Sequence, residues 1–217
     1  MKPLLISHRG DTTNFSENTL DAFKSAFSHG ADGVEFDIHF YKGDWIVVHN
    51  YLFSENQKYP LLTNVLEELK NKGRLEIEVK GFEDNGLNKL EQILTPYKNQ
   101  NIEITTSVLP LLPYLTKKFN HFKIGLIFKE NLFEEWMNED LIIRLILGYL
   151  KLAKGNIAHL PERILSKKLI NSLHKNGYKI HVNIPNTKNQ KQMLIRLTDL
   201  GVNQFTINDI RVVTFLV

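Results

Sequence analysis

The chain has 217 residues, of which 42% are hydrophobic and 24% charged, and a formal net charge of +3. That suffices for one well-buried domain over residues 1–217 and is too short for two comfortable ones. The absence of cysteine excludes a disulfide framework, a thiolate metal site and a cysteine nucleophile, so any metal must be held by oxygen or imidazole.

The N-terminus MKPLLISHRG has one lysine and a short apolar run, well below the apolar core of a secretory signal. Leu4–His8 is the first strand. A helical face follows at Leu20, Phe23, Ala26 and Phe27, with Gly30 as its stop. Strands are predicted over Gly33–Phe40 and Trp45–His49, then a helix from Pro60-Leu61-Leu62 through Leu69, then a strand over Leu75–Lys80. Leu87, Leu90, Ile93 and Leu94 make the next helical face. Strands follow at Ile102–Ser107 and Lys123–Phe128. Phe133, Trp136, Met137 and the run Leu141–Leu152 read as one helix. That run is broken by Arg144 and is far shorter than the roughly 20 residues of a bilayer span, so it reads as a buried helix and no transmembrane segment is expected. Asn156–Pro161 is a strand. Leu169, Ile170 and Leu173 mark a helix ending at Gly177, and Lys179–Ile184 is again a strand. A last helix around Met193, Leu194, Leu197 and Leu200 stops at Gly201, before the strand Gln204–Asn208. Lysines are spread along the chain, with only Lys167 and Lys168 adjacent, so no nucleic-acid partner is expected. The default location is cytoplasmic, and the oligomeric state is not encoded.

Strands alternating with helices imply a parallel sheet with right-handed crossovers. One connection differs. Only Tyr41, Lys42, Gly43 and Asp44 separate Phe40 from Trp45, too few for a crossover, so these two strands form an antiparallel hairpin. Setting the returning strand aside leaves eight, the number that closes a (β/α)₈ TIM barrel. An open doubly wound sheet is the alternative, but the glycine-rich turn expected after its first strand is missing.

Four pieces carry chemistry. His8 and Arg9 stand where a barrel places its active-site rim, and an imidazole beside a guanidinium suits proton transfer at a held phosphate; the bland alternative is a polar strand end. Glu35 and Asp37 share one face of an apolar strand, where like charges are costly unless a cation sits between them. Interior salt bridges to Arg9 or Lys80 are the alternative. With the hairpin centred near Lys42 and Gly43, facing residues sum to about 85 or 86, which puts His49 opposite Phe36 or Asp37. His39 lies further out and reads as structural. Glu76, Glu78 and Lys80 share one face of their strand, with Glu78 and Lys80 nearest the mouth; an exposed edge-strand ion pair is the competing reading. Carboxylates and imidazoles without thiolates favour one hard divalent cation, Mg²⁺ or Ca²⁺, over zinc. His29, His121, His159, His174 and His181 match no ligand spacing with one another, and Trp45 and Trp136 read as core or edge packing.

The stretch ISHRGDTTNFSENTLDAFKSAFSHGADGVEFDIHFYKGDWIVVHN, followed by Glu78-x-Lys80, resembles the signature of the glycerophosphodiester phosphodiesterase family, a phosphatidylinositol-phosphodiesterase-like TIM barrel. The match is specific over residues 6–50, good through Lys80 and weak beyond. It implies metal-dependent hydrolysis of a small-molecule phosphodiester to glycerol 3-phosphate and an alcohol, in lipid or glycerol metabolism. By that resemblance Glu35, Asp37 and Glu78 would bind the metal. His8 and His49 would be general acid and base, and Arg9 and Lys80 would hold the phosphate. Glu17, Asn18 and Asn50 would contact substrate or steady those groups.

The chain also departs from the family. Asn50 replaces an aspartate, and the insertion domain before the Glu-x-Lys strand is little or absent. Asn183-Ile184-Pro185-Asn186 and Ile207-Asn208 stand where Trp-Thr-x-Asn and Thr-Asp are usual, and little room remains for an eighth helix before Val217. Two other readings stay open: a phospholipase D-like lyase that forms a cyclic phosphate, and a non-catalytic barrel that only binds.

Overall fold

The computed structural model describes residues 2–54, 56–81, 84–184 and 189–212. Among the described residues there are nine strands: β1 (Leu4–His8), β2 (Gly33–Tyr41), β3 (Asp44–Val47), β4 (Arg74–Val79), β5 (Ile102–Thr106), β6 (Lys123–Ile127), β7 (Ile157–Leu160), β8 (Lys179–Asn183) and β9 (Gln204–Ile207). All pairings are parallel except β2–β3, and β1 pairs with both β9 and β2. The eight parallel strands therefore close on themselves, and β3 lies outside the ring. This is a (β/α)₈ barrel with a hairpin after its second strand. The hairpin register pairs Ile38 with Val47 and Phe40 with Trp45, a sum of 85 as the turn length requires.

The helices are α1 (Leu20–Ser28), α2 (Leu62–Glu68), α3 (Asp84–Leu94), α4 (Leu112–Lys118), α5 (Glu139–Leu152), α6 (Lys167–Lys175) and α7 (Gln190–Leu200). Several starts and stops have a local cause. The side chains of Thr19, Asn138 and Ser166 accept the backbone N–H groups of Ala22, Leu141 and Leu169, which satisfies otherwise orphaned donors. Gly201 ends α7 at φ 99°. The N-cap at Asn138 also explains a departure from the sequence pattern: the helix begins at Glu139, so Phe133, Trp136 and Met137 precede it in a loop. Phe133 is buried, whereas Trp136 is 72% exposed. Nor is α5 buried all round, because it sinks Ile143, Ile146 and Leu150 and leaves Leu152 outside. The predicted strand Trp45–His49 ends at Val47, which leaves His49 on a loop. Pro185, Asn186 and the residues that an eighth helix would need after Val212 lie outside the described residues.

The apolar core lies between strands and helices. Leu5, Val34, Phe36, Ile38, Leu75, Ile77, Ile104, Leu126, Val182 and Phe205 face outward onto the helical layer. The alternate positions therefore point into the barrel, and many of them are polar: Glu35, Asp37, Glu76, Glu78, Glu103, Thr105, His181, Gln204 and Thr206 are all buried. A small barrel normally fills its interior with branched apolar side chains. This interior is instead built of titratable groups, which cost stability and must be compensated.

Two features of the β1–α1 connection hold the first site residues in place. Gly10 adopts φ 85°, and a Cβ there would lie 2.6 Å from the backbone carbon and the Cβ of Ala22. Gly10→Ala is thus expected to cost about 2–4 kcal/mol from strain and overpacking, read as a fall in Tm of roughly 4–16 °C. Asp11 is buried and accepts from Ser25 at 2.7 Å and Asn14 at 3.1 Å. Burial pushes its carboxyl up, but these bonds and Arg211 outweigh burial and hold it below its ordinary value. A group depressed in the folded state stabilises above its unfolded pKa and loses that contribution as pH falls through the folded one. Asp11→Ala is therefore expected to destabilise by about 1–3 kcal/mol at pH 7. In denaturant titrations the gap to wild type should close as pH drops below about 4; a gap that persists in acid would mean the bonds do not need the charge.

Candidate active site

Strand register brings the distant pieces level. His8 on β1 is the Cα partner of Glu35 on β2, and Asp37 is the partner of Glu78 on β4. His8 and Glu78 lie toward the C-terminal ends of their strands, and the register brings Glu35 and Asp37 level with them, at the end where barrel enzymes build their sites. A cavity of about 670 Å³ opens there, lined among others by His8, Arg9, Glu35, His49, Glu78 and Lys80.

Asp37 is the electrostatic centre. Arg9 Nε lies 3.1 Å from its Oδ2 and Lys80 Nζ 2.9 Å from its Oδ1. Asn18 donates to Oδ2 at 3.1 Å and accepts the Asp37 backbone N–H at 3.3 Å. Burial alone would raise this carboxyl, but the two cations and Asn18 outweigh burial and hold it below the ordinary carboxylate range. Lys80 also donates to Glu78 at 2.6 Å, and Ser107 donates to the other Glu78 oxygen at 3.1 Å. Burial of Lys80 is likewise overcome by Glu78 and Asp37, which keep its ammonium charged. For Asp37 the interior salt bridges that the sequence allowed are thus formed.

Glu35 differs. It is buried, and its Oε2 has no hydrogen-bond partner; His8 Nε2 lies 3.9 Å away. Burial first, then the negative charges of Asp37, Glu78 and Glu76, push its carboxyl well above the ordinary value. Oxygens of Glu35, Asp37 and Glu78 all lie within 4.8 Å of one another. An orphaned carboxylate oxygen beside two other carboxylates is the donor set that fits a divalent cation.

His8 is fixed by a residue 200 positions away, since its Nδ1 lies 2.8 Å from Asn208 Oδ1. An amide oxygen only accepts, so Nδ1 carries the proton and Nε2 keeps a lone pair toward the cavity. Burial, reinforced by Arg9, lowers the His8 pKa, with Asn208 opposing, and the neutral imidazole results. Arg9 sits at φ 58° and is braced by Glu17 at 2.9 Å. His49 lines the cavity from the loop after β3. Its carbonyl accepts from His39 at 3.3 Å, and the His39 ring packs edge-on against Tyr51 and Phe53.

Of the expected site residues, His8, Arg9, Glu35, His49, Glu78 and Lys80 line the cavity, and Asp37, Asn18 and Glu17 brace that set. Asn50 is exposed and is not one of the lining residues. The sequence marks Asn183 and Asn208 only as departures from the family pattern and does not mark Ser107 or Tyr51, yet all four border the site. The signal available for Asn208 and Ser107 was their place just beyond strand ends. His159 and His181, which had no spacing partner, line the cavity floor with Glu76.

Residues 8–50 match the family model described as the glycerophosphoryl diester phosphodiesterase family. A glycerophosphodiester phosphodiesterase of Caldanaerobacter subterraneus subsp. tengcongensis is 28% identical, covering 96% of this chain and 95% of that protein. The structure of a glycerophosphodiester phosphodiesterase from Thermotoga maritima superposes with a TM-score of 0.78 at 20% identity, covering 100% of this chain and 99% of that one. A phosphodiesterase of Oleispira antarctica, solved in complex with the product sn-glycerol-3-phosphate, superposes with a TM-score of 0.79 at 15% identity, covering 99% of this chain and 96% of that one.

Proposed function

We propose that this chain, which belongs to the glycerophosphodiester phosphodiesterase family and its enzyme class, hydrolyses small glycerophosphodiesters to glycerol 3-phosphate and an alcohol, within the turnover of lipid-derived glycerol compounds. The observation that carries this reading is the convergence in one cavity of two imidazoles, an arginine, a lysine and a carboxylate set with an orphaned oxygen. The product bound to the Oleispira antarctica protein supports the choice of substrate class.

Each residue has a part. Arg9 and Lys80 flank Asp37 and would hold the phosphate by charge-assisted hydrogen bonds. His8 keeps a free Nε2 lone pair because Asn208 accepts from Nδ1, and it would take the proton of the attacking oxygen. His49, entering from the loop after β3, would return a proton to the departing alkoxide. Glu35, Asp37 and Glu78 would hold one divalent cation, Mg²⁺ or Ca²⁺, which when bound offsets charge on the phosphoryl oxygens. Glu17 and Asn18 keep Arg9 and Asp37 in place.

The test is release of glycerol 3-phosphate from glycerophosphocholine, glycerophosphoethanolamine and glycerophosphoglycerol. Turnover should vanish with EDTA and return with Mg²⁺ or Ca²⁺. No release from any substrate at any metal concentration would overturn the reading. Phosphorus NMR distinguishes a free phosphomonoester from a cyclic phosphate, the product expected of a lyase.

A further inference from the structure

Beneath the Glu35–Asp37–Glu78 set lies a second cluster, formed by β4, β5, β7 and β8. Ligand atoms of Glu76, Glu103, His159 and His181 all lie within 4.8 Å of one another. Three of these side chains are buried, and His159 is nearly so, facing the cavity floor. The hydrogen bonds show what the cluster lacks. Gln204 donates its amide to His181 Nδ1 at 2.9 Å, so Nδ1 is an acceptor and the ring proton sits on Nε2, 2.6 Å from Thr206 Oγ1. Yet Nδ1 also faces Glu76 Oε2 at 3.3 Å, and that oxygen has no hydrogen-bond partner although Glu76 is only 2% exposed. Across the cluster, His159 Nε2 lies 2.8 Å from Glu103 Oε1, while its Nδ1 lies 3.5 Å from Glu76 Oε1. With the His159 proton given to Glu103, Glu76 Oε1 faces the His159 Nδ1 lone pair, and Oε2 faces His181 Nδ1, whose lone pair the Gln204 amide would release to a bound metal.

Acceptors arranged against acceptors need a cation between them. Glu103 already has one, since Arg74 pairs with it, but Glu76 has none at bonding distance. The two Glu76–imidazole spacings, 3.3 and 3.5 Å, are near the edge of roughly 3.3 Å that bonds of about 2.0–2.1 Å give in a tetrahedral site. The two imidazole rings stack at 4.2 Å. Room is made by Gly125 on β6, where a Cβ would collide with the Glu103 carboxylate and come within 2.6 Å of His159 Nε2. The shared cavity gives an ion a route in from the mouth.

We propose that Glu76, Glu103, His159 and His181 form a second cation site inside the barrel, taking a first-row transition metal, Zn²⁺ above all. Two imidazoles beside carboxylates suit such a borderline ion, whereas the all-oxygen set above suits Mg²⁺ or Ca²⁺. This stands on geometry apart from the proposed hydrolysis.

The test uses metal-free full-length chain equilibrated with Zn²⁺ and assayed for bound metal by mass spectrometry. Glu35→Gln, which disables the upper set, should still retain one equivalent of zinc. His159→Gln with His181→Gln should weaken retention of that equivalent by on the order of 100-fold or more, with far-UV circular dichroism confirming the fold. Should the double variant not fold, X-ray absorption on zinc-loaded Glu35→Gln decides: scattering from two imidazoles is expected. No zinc on Glu35→Gln, retained zinc without imidazole scattering, or unchanged affinity in a folded double variant would each overturn the site and leave a proton on Glu76 as what fills the gap.

Discussion

His8→Ala and His49→Ala are each expected to lower kcat for glycerophosphodiester hydrolysis by about 10²–10⁴-fold, the range of positioned acid–base catalysis, while divalent-cation affinity measured by calorimetry stays close to wild type. The argument for His8 is geometric: Asn208 fixes its tautomer and leaves Nε2 facing the cavity, 3.9 Å from Glu35. Asn208→Ala should therefore reduce kcat by a smaller factor, because the ring is freed rather than removed. Near-wild-type turnover in either histidine variant would show that the proton-transfer assignment is wrong. A loss of cation binding equal to the loss of turnover would make the imidazole a ligand instead.

Two neighbouring carboxylates should respond in opposite directions when neutralised. Asp37→Asn removes the charge that Arg9 and Lys80 share and leaves a buried and a half-buried cation poorly matched. Breaking such a pairing costs about 3–5 kcal/mol, a fall in Tm of roughly 6–20 °C for a chain of this size. Glu35→Gln removes a buried carboxylate whose Oε2 has no hydrogen-bond partner and whose neighbours are acidic, so metal-free Tm should hold or rise. Both variants should lose activity by more than 10²-fold. The wild type should gain stability from Mg²⁺ or Ca²⁺, about 2.7 kcal/mol at a hundred times Kd, and Glu35→Gln should lose that gain. Equal destabilisation by the two substitutions in EDTA would mean that Glu35 has a structural partner and that the activity–stability trade-off does not operate here.

Much of this arrangement is legible along the chain because its causes are local. Alternation in Glu35-Phe36-Asp37 and in Glu76-Ile77-Glu78 assigns two carboxylates to one face and an apolar residue to the other, whatever the rest of the protein does. The four residues between Phe40 and Trp45 allow only a hairpin, and their number sets the register. The glycine stops at Gly30 and Gly201 are backbone effects. Where the pattern misled, the competing cause was also local but weaker in the sequence: the Asn138 cap starts α5 after Met137, and prolines at 110 and 113 hide the short helix α4.

The sequence by itself therefore determined the strand order, every helix but α4, the hairpin, the polar faces of β2 and β4 and the motif between His8 and His49. Each follows from steric and hydrophobic preferences spanning a few residues. Only the closed barrel decided that Asn208 would orient His8 from 200 positions away, that Asp37 would be compensated while Glu35 was not, and that Glu76, Glu103, His159 and His181 would meet inside the ring. Those outcomes depend on the stagger between strands that are neighbours in space but not in sequence. Side-chain alternation says which face a residue takes, and ring closure says which residues share it.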